Sequence, residues 1–302
     1  MSKPDPNKLP SPFALRPSPF EIALNRVAKT IIRRALNEDL GKRGDITSHA
    51  TIPTDARGEA VIIAKADGVI AGQQIAEAVF RELDKGMRYE GLCPDGTPVV
   101  KGMEVARVKG KTWVILAGER TALNILQRCS GIATLTRRYM DEVAGTDVKI
   151  SETRKTAPGL RYLDKAAVRV GGGVNHRYAL HDAFLIKENH IAVVGSISKA
   201  IAACREFAAR HGRFRVMVEA RNFVEFQEAL SAAPDRILLD NMTTDEIRAC
   251  VVTNTGKVEL EASGGITLDN IRQYAGTGVD FISVGALTHS VKALDLSLML
   301  RI

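Results

Sequence analysis

From residue 148 onward the chain repeats one alternation: a short Val/Ile/Leu-rich run, then a longer stretch with apolar residues at helical spacing. The apolar runs fall at 148–150, 183–186, 214–218, 236–239, 258–261 and 281–284. Helix-like stretches at 160–170, 197–211, 223–230, 244–253 and 268–275 separate most of them. Strands apolar on both faces must be covered on both faces, so the alternation predicts a parallel sheet flanked by helices. Six such units, with no nucleotide fingerprint after the first strand, favour a barrel over an open doubly wound sheet.

The chain before residue 148 reads differently. Apolar residues at helical spacing (Val27, Ile31, Ile32, Ala35, with Ile22 ahead of them) predict a helix over 20–37. A structured loop is expected over 38–51, where Asp45 and Thr47 have the chemistry of turns and caps. Strands are expected at 59–66, 88–92 and 105–109, a helix at 73–83, and a hairpin at 95–102 in a small β-rich domain. A long helix spans 118–143, with a break expected near Ser130-Gly131. Glu119-Arg120 falls at the start of that helix, where a cation opposes the macrodipole at about 0.3–1 kcal/mol. Arg120 therefore calls for a salt-bridge partner or for an anion within reach.

The stretch 151–190 concentrates charge. Arg154, Lys155, Arg161, Lys165, Arg169, Arg177 and Lys187 stand there against Glu152, Asp164, Asp182 and Glu188. These cations sit beside turn formers and at the ends of apolar runs, where an α/β enzyme holds an anionic substrate. The chain's formal charge of +7 has two readings. A nucleic-acid binder would spread basic residues along a face with stacking aromatics, but aromatics are only 5% of this chain and it has one Trp. A cleft for small polyanions gathers cations in one place, and the clustering favours it. Cys93, Cys129, Cys204 and Cys250 show neither CxxC pairing nor zinc spacing, which suggests reduced thiols and a cytoplasmic protein. No apolar run reaches transmembrane length, so no membrane partner is expected. The first 19 residues hold six of the eleven prolines and read as a disordered tail.

In a barrel, the C-terminal ends of the strands would present Glu152, Arg154 and Lys155, then Lys187 and Asn189, then Glu219, then Asp240 and Asn241. The last two would present Ser263-Gly264-Gly265 and Gly285-Ala286, glycine turns whose backbone N–H groups suit phosphate. Gly171-Gly172-Gly173 lacks the Lys-Ser/Thr of a P-loop and reads as a backbone-geometry element. Glu219 and Asp240 are acids among cations; they either pair with those cations or meet sugar hydroxyls, a Mg²⁺ ion or a developing positive charge, and the second reading is favoured.

Several segments together resemble the quinolinate phosphoribosyltransferase family, also called carboxylating nicotinate-nucleotide diphosphorylases. They are Glu119-Arg120 to Asn124, Gln127 to Thr134, Thr153 to Arg161, Gly171 to Arg177 and Leu185 to His190. Leu238 to Asn241, Ala262 to Ile266 and Val284 to His289 complete the set, and the match runs from about Asp39 to the C-terminus. The resemblance implies an N-terminal α/β sandwich domain (20–130) followed by an open seven-stranded α/β barrel (131–302), whose last residues can return to the first domain. It implies transfer of phosphoribosyl from phosphoribosyl pyrophosphate to quinolinate with decarboxylation. It also implies a homodimer, open to higher assembly, in which Arg120 reaches the neighbour's site. Arg154, His176, Arg177 and Lys187 match residues that meet the quinolinate carboxylates. Lys155, Glu219 and Asp240 match positions for phosphoribosyl pyrophosphate, Mg²⁺ and the ribose; Lys155, Lys187, Glu219 and Asp240 are the expected catalytic set. Ser263, Gly264, Gly265, Gly285 and Ala286 match phosphate contacts. The chain departs from the common pattern at Met217, where many relatives carry Glu, and at Ala157, where Thr is common. The competing readings are a molybdenum-transport-associated paralogue or nicotinate transferase on the same scaffold, and a basic nucleic-acid-binding protein.

Overall fold

A computed structural model describes residues 26–256 and 258–301. The proline-rich stretch 1–19 and the start of the helix expected from residue 20 lie outside them. The first half runs α1 (Arg26–Leu40), α2 (Ile46–Thr51), β1 (Arg57–Ala64), β2 (Gly68–Val69), α3 (Gln73–Leu83), β3 (Arg88–Gly91), β4 (Pro98–Val99), β5 (Glu104–Lys111) and α4 (Thr112–Glu142). The second half runs β6 (Lys149–Ser151), α5 (Arg161–Val170), β7 (Phe184–Ile186), α6 (Glu188–Val194), α7 (Ile197–His211), β8 (Val216–Ala220) and α8 (Phe223–Ser231). It continues with β9 (Arg236–Asp240), α9 (Thr244–Asn254), β10 (Glu259–Ser263), α10 (Ile271–Ala275), β11 (Phe281–Ser283), α11 (Ala286–His289) and β12 (Leu296–Arg301).

The first sheet is antiparallel in the order β12-β1-β5-β3. Its edge strand β12 comes from the far end of the chain and pairs with β1 from Glu59↔Arg301 to Ala64↔Leu296. On α3, Ile75, Ala76, Val79 and Phe80 are fully buried at helical spacing and pack toward α4. Burying a side chain the size of Phe80 stabilises the fold by roughly 1.5–3 kcal/mol.

Three local expectations change. The loop expected over 38–51 contains α2, because the Asp45 side chain accepts the N–H groups of Thr47 and Ser48 at 3.1 Å and caps a helix there. The hairpin expected at 95–102 does not form within that stretch: β4 pairs with β2, not with a neighbour in sequence. Asp95 draws the turn away by accepting the N–H groups of Gly72 and Gln73, at 2.9 and 3.1 Å. Finally, α4 runs unbroken through Ser130-Gly131. The Ser130 hydroxyl accepts the N–H of Ala71 at 2.9 Å, and a Cβ at Gly131 would lie 2.3 Å from the Lys292 carbonyl oxygen. Both residues read as a helix break by propensity, but they serve close tertiary contacts, and packing overrides propensity.

The second sheet is parallel in the order β6-β11-β10-β9-β8-β7. Its edges, β6 and β7, do not pair with each other, so the barrel is open. The resemblance implied seven strands; six form ladders, and the next position is held by a single parallel bridge, Ser151↔Val174. Gly171, Gly172 and Gly173 end α5 and bring the chain against the backbone of Ala133 and Ile150, as a geometry element would.

Period two then decides what enters the barrel. On β9, Leu239 and Ile237 pack toward the helices in the main core, whereas Leu238 joins Met217, Ala183 and Leu185 in a separate apolar cluster. Met217, noted above as a departure from the expected pattern, is thus part of an apolar layer. One step toward the strand C-termini from that layer stand Lys187, Glu219, Asp240 and Ser263.

Gly131→Ala is expected to lower unfolding stability by about 1–3 kcal/mol, the range for overpacking a tight contact. Chemical denaturation measures it, and a neutral result would mean that α4 and the 292–293 backbone are not in fixed contact.

Candidate active site

At the C-terminal ends of the six strands lies one cleft of about 1080 Å³. Its wall brings together Arg154, Lys155, His176, Arg177, Lys187, Glu219, Asp240, Ser263, Gly264, Gly265, Gly285 and Ala286. Every one of these was expected from the sequence. Arg120 is not among them. The helix that carries it begins at Thr112, so Arg120 lies well inside α4 and not at its N-terminus, and the dipole argument does not apply. Its side chain is 59% exposed, and the nearest acid is Glu119 at 3.9 Å.

The basic loop after β6 is tied down from three sides. Arg128 of α4 grips fully buried Asp164 of α5 with two hydrogen bonds, 2.7 and 2.8 Å, and Asp164 also accepts the N–H of Ala157 at 3.0 Å. Arg161 donates to the Thr156 hydroxyl at 3.0 Å. The Thr288 hydroxyl donates to the Lys155 carbonyl at 2.9 Å. A bidentate Arg–carboxylate pair fixes direction as well as distance, so Arg154 and Lys155 are presented by a stiff loop. Lys187 starts α6 and donates its backbone N–H to His190 Nδ1 at 3.0 Å. His190, prominent in the sequence, therefore caps a helix and does not line the cleft.

Across the cleft, the Lys187 ammonium pairs with the Glu219 carboxylate. Asp240 accepts from Asn241 Nδ2 at 2.8 Å. Asn241 adopts φ +56, a left-handed conformation that Asn tolerates better than most residues, and donates its N–H to the Ser263 carbonyl at 2.8 Å. Next to it, Gly264 and Gly265 have φ +93 and +61, and a Cβ on Gly264 would meet Asn241 Oδ1 at 2.2 Å. Only glycine fits that turn, which leaves backbone N–H groups at the cleft wall where an anion can approach.

The electrostatics are uneven. Burial pushes the Arg177 guanidinium below its ordinary range, and neighbouring Arg154 pushes it further. Burial also pushes His176 down; Glu261 pulls it up, while Arg236, Lys165 and Arg177 push it down. Arginine stays charged through such shifts. Three buried nitrogens on cleft residues have no hydrogen-bond partner among the described residues: Arg154 Nε, Arg177 Nε and His176 Nδ1. Leaving a buried donor unpaired costs about 1–3 kcal/mol, so a site that keeps two guanidinium donors unpaired suits an anion, and His176 Nδ1 joins them once it is protonated. No group of three or more His, Cys, Asp or Glu able to hold a metal occurs among the described residues.

A charged layer lies under the cleft. Glu152, read from sequence as a strand-end candidate, is fully buried and pairs with Lys165. It also accepts from Asn175 Nδ2 and from the His176 N–H, at 3.0 and 3.2 Å. Asn189 and Asn241, expected at strand ends, line the cleft as well, and so do Thr153, Leu185, Leu238, Ser283 and His289, which were not singled out as site residues. Leu185, Leu238 and Ser283 could have been found, since each stands two residues before a strand-end residue that was.

Residues 45–130 match the family model described as the quinolinate phosphoribosyl transferase N-terminal domain, and residues 132–299 match the one described as its C-terminal domain. The chain is 44% identical over 286 residues to a carboxylating nicotinate-nucleotide pyrophosphorylase, chloroplastic, of Oryza sativa, covering 89% of this chain and 76% of that protein. It is 42% identical over 270 residues to a probable carboxylating nicotinate-nucleotide pyrophosphorylase of Bacillus subtilis, covering 89% and 92%. The solved nicotinate-nucleotide pyrophosphorylase of Francisella tularensis superposes with a TM-score of 0.85 at 39% identity, covering 91% of this chain and 96% of that one.

Gly264→Ala is expected to weaken binding of inorganic pyrophosphate on the order of tenfold, from strain at a positive φ together with the clash at Asn241. Titration calorimetry reads it, and unchanged affinity would remove the turn from phosphate binding.

Proposed function

The chain belongs to the quinolinate phosphoribosyltransferase family, and from that premise we propose how its cleft carries out the family's reaction. The enzyme transfers phosphoribosyl from phosphoribosyl pyrophosphate to quinolinate with loss of CO₂, giving nicotinate mononucleotide and pyrophosphate in NAD biosynthesis. The observation that carries the cleft assignment is the set of unpaired buried nitrogens on Arg154, Arg177 and His176 in one cation-rich hollow.

In this reading Arg154, Arg177, His176 and Lys187 hold the two carboxylates of quinolinate. Lys155, the Ser263–Gly265 turn and the Gly285–Ala286 turn hold the phosphates. Glu219 and Asp240, on neighbouring strands, hold the ribose. Departure of pyrophosphate builds positive charge at the ribose C1, and carboxylates fixed nearby stabilise it. The ring nitrogen bonds to C1 as the bond to pyrophosphate breaks. The nitrogen is then positive, so the electron pair left at C2 by the departing 2-carboxylate is held next to a positive charge until it takes a proton from solvent, which closes the C2–H bond of the product. The protein's part is binding, orientation and electrostatics, and no general base is assigned. Two neighbouring carboxylates with substrate phosphates are a donor set that suits Mg²⁺. Glu219 and Asp240 would hold that ion, which would neutralise charge on the leaving pyrophosphate.

Arg120, exposed and outside its own cleft, supports a homodimer in which it reaches the neighbour's site. No helix among the described residues is long and apolar enough to cross a membrane. The four cysteines are free thiols, which supports a reducing compartment, and we assign the cytoplasm.

Release of CO₂ from carboxyl-labelled quinolinate, dependent on phosphoribosyl pyrophosphate, tests the reaction. Arg154→Ala and Lys187→Ala are each expected to reduce it by at least about a hundredfold, as for a lost charged contact in a closed site; full activity in either would contradict the assigned roles. Mixing inactive Arg120→Ala chains with inactive Lys187→Ala chains is expected to restore about a quarter of wild-type activity, because each mixed dimer has one intact site. Absence of any recovery would contradict the shared site.

A further inference from the structure

Glu261 is fully buried on β10, two residues below Ser263 of the cleft wall. Its Oε2 accepts from Arg236 Nη1 at 2.7 Å. Arg236 is held in turn by Glu259 and lies over the Phe281 ring at 3.5 Å. So one oxygen of Glu261 is anchored from below. The other, Oε1, has no hydrogen-bond partner among the described residues and stands 3.7 Å from His176 Nε2. His176 lines the cleft, and its own Nδ1 is equally unpaired. An unpaired carboxylate oxygen in a site without water access is costly, and the nearby imidazole offers it a donor that also belongs to the cleft wall.

We infer that Glu261 is a positioning residue for His176, holding the Nε2–H edge of the ring and supplying the counter-charge with which His176 takes up a proton when the diacid binds. The inference rests on the reading of the cleft as the quinolinate site. The charged groups facing the ring are Glu261 from β10, Arg236 from β9, Lys165 from α5, Arg177 beside it in the chain, and Glu152 after β6, which accepts its backbone N–H.

Without substrate, burial and then the cations Arg236, Lys165 and Arg177 hold the ring below its ordinary range, with Glu261 opposing them. The ring is then neutral at neutral pH. Its proton sits on Nε2 toward Glu261, and Nδ1 carries a lone pair that repels a carboxylate. A substrate carboxylate at Nδ1 places the ring between two negative charges, which favours imidazolium. One proton moves from solvent to Nδ1, and the 3.7 Å contact shortens as the charge forms. The bound-state pKa is thus higher than the free one. Binding takes up a proton between the two values, and affinity falls as pH rises through that window, at most about tenfold per pH unit.

Titration calorimetry of the full chain with quinolinate, in buffers of different ionisation enthalpy, reads binding and proton uptake separately. The wild type is expected to take up as much as about one proton per site near neutral pH. Glu261→Gln is expected to abolish that uptake, flatten the pH dependence of the quinolinate Kd and raise the Kd roughly tenfold, leaving pyrophosphate affinity unchanged. His176→Asn must also lose the uptake, and if Glu261→Gln does not fold, Glu261→Asp, which keeps the charge but draws it back from the ring, is expected to lower both the uptake and the quinolinate affinity. Quinolinate binding to the wild type without proton uptake, or uptake that survives Glu261→Gln or His176→Asn or is undiminished in Glu261→Asp, would overturn the inference. Failure of quinolinate to bind at all would instead overturn the reading of the cleft.

Discussion

Positive charge held out of water is the constraint on which this structure depends. A buried cation is tolerated only when a carboxylate meets it, and the barrel interior meets that demand from below. Lys165 has Glu152, and Arg236 has Glu259 and Glu261. Higher up, the compensation thins. Arg154 and Arg177 keep unpaired nitrogens, and Arg177 is destabilised as a cation by burial and by Arg154. Below the apolar layer the buried cations Lys165 and Arg236 are met by carboxylates, and the cleft above it is left for a substrate carrying two carboxylates and a chain of phosphates.

The fold produces that gradient through one periodicity. Six parallel strands end at one face, and alternate residues along each strand point inward. Leu185, Met217 and Leu238 form an apolar layer, with Lys187, Glu219 and Asp240 one step above it. Rigidity comes from outside the barrel. The Arg128–Asp164 pair joins the long helix α4 to α5 and to the loop that carries Arg154 and Lys155. Because α4 continues without a break past Gly131, it braces both sheets.

Much of this was legible in the sequence, for identifiable reasons. The strand–helix alternation after residue 148 reports burial on both faces, and it located six strands correctly. Strand-end cations and glycine turns were legible because chemistry and turn geometry coincide there. Three kinds of feature were not. The course of α4 through Ser130-Gly131 and the pairing of β4 with β2 depend on contacts distant in sequence, to which propensity is blind. Glu261 and Arg236 read as ordinary strand residues because an interior ion pair has no local signature; only the register that sets Glu259 opposite Arg236 places the two acids of β10 within its reach. Arg120 was noticed for a wrong reason, a helix start that lies at Thr112.

The central claim is that the unpaired nitrogens of Arg154, Arg177 and His176 are kept for the carboxylates of the substrate. A crystal structure of the quinolinate complex tests it most directly. The account predicts carboxylate oxygens within hydrogen-bond distance of Arg154, of Arg177 and of His176 Nδ1, above the Leu185–Leu238 layer. A bound diacid lying elsewhere, with those three nitrogens still without partners, would contradict it.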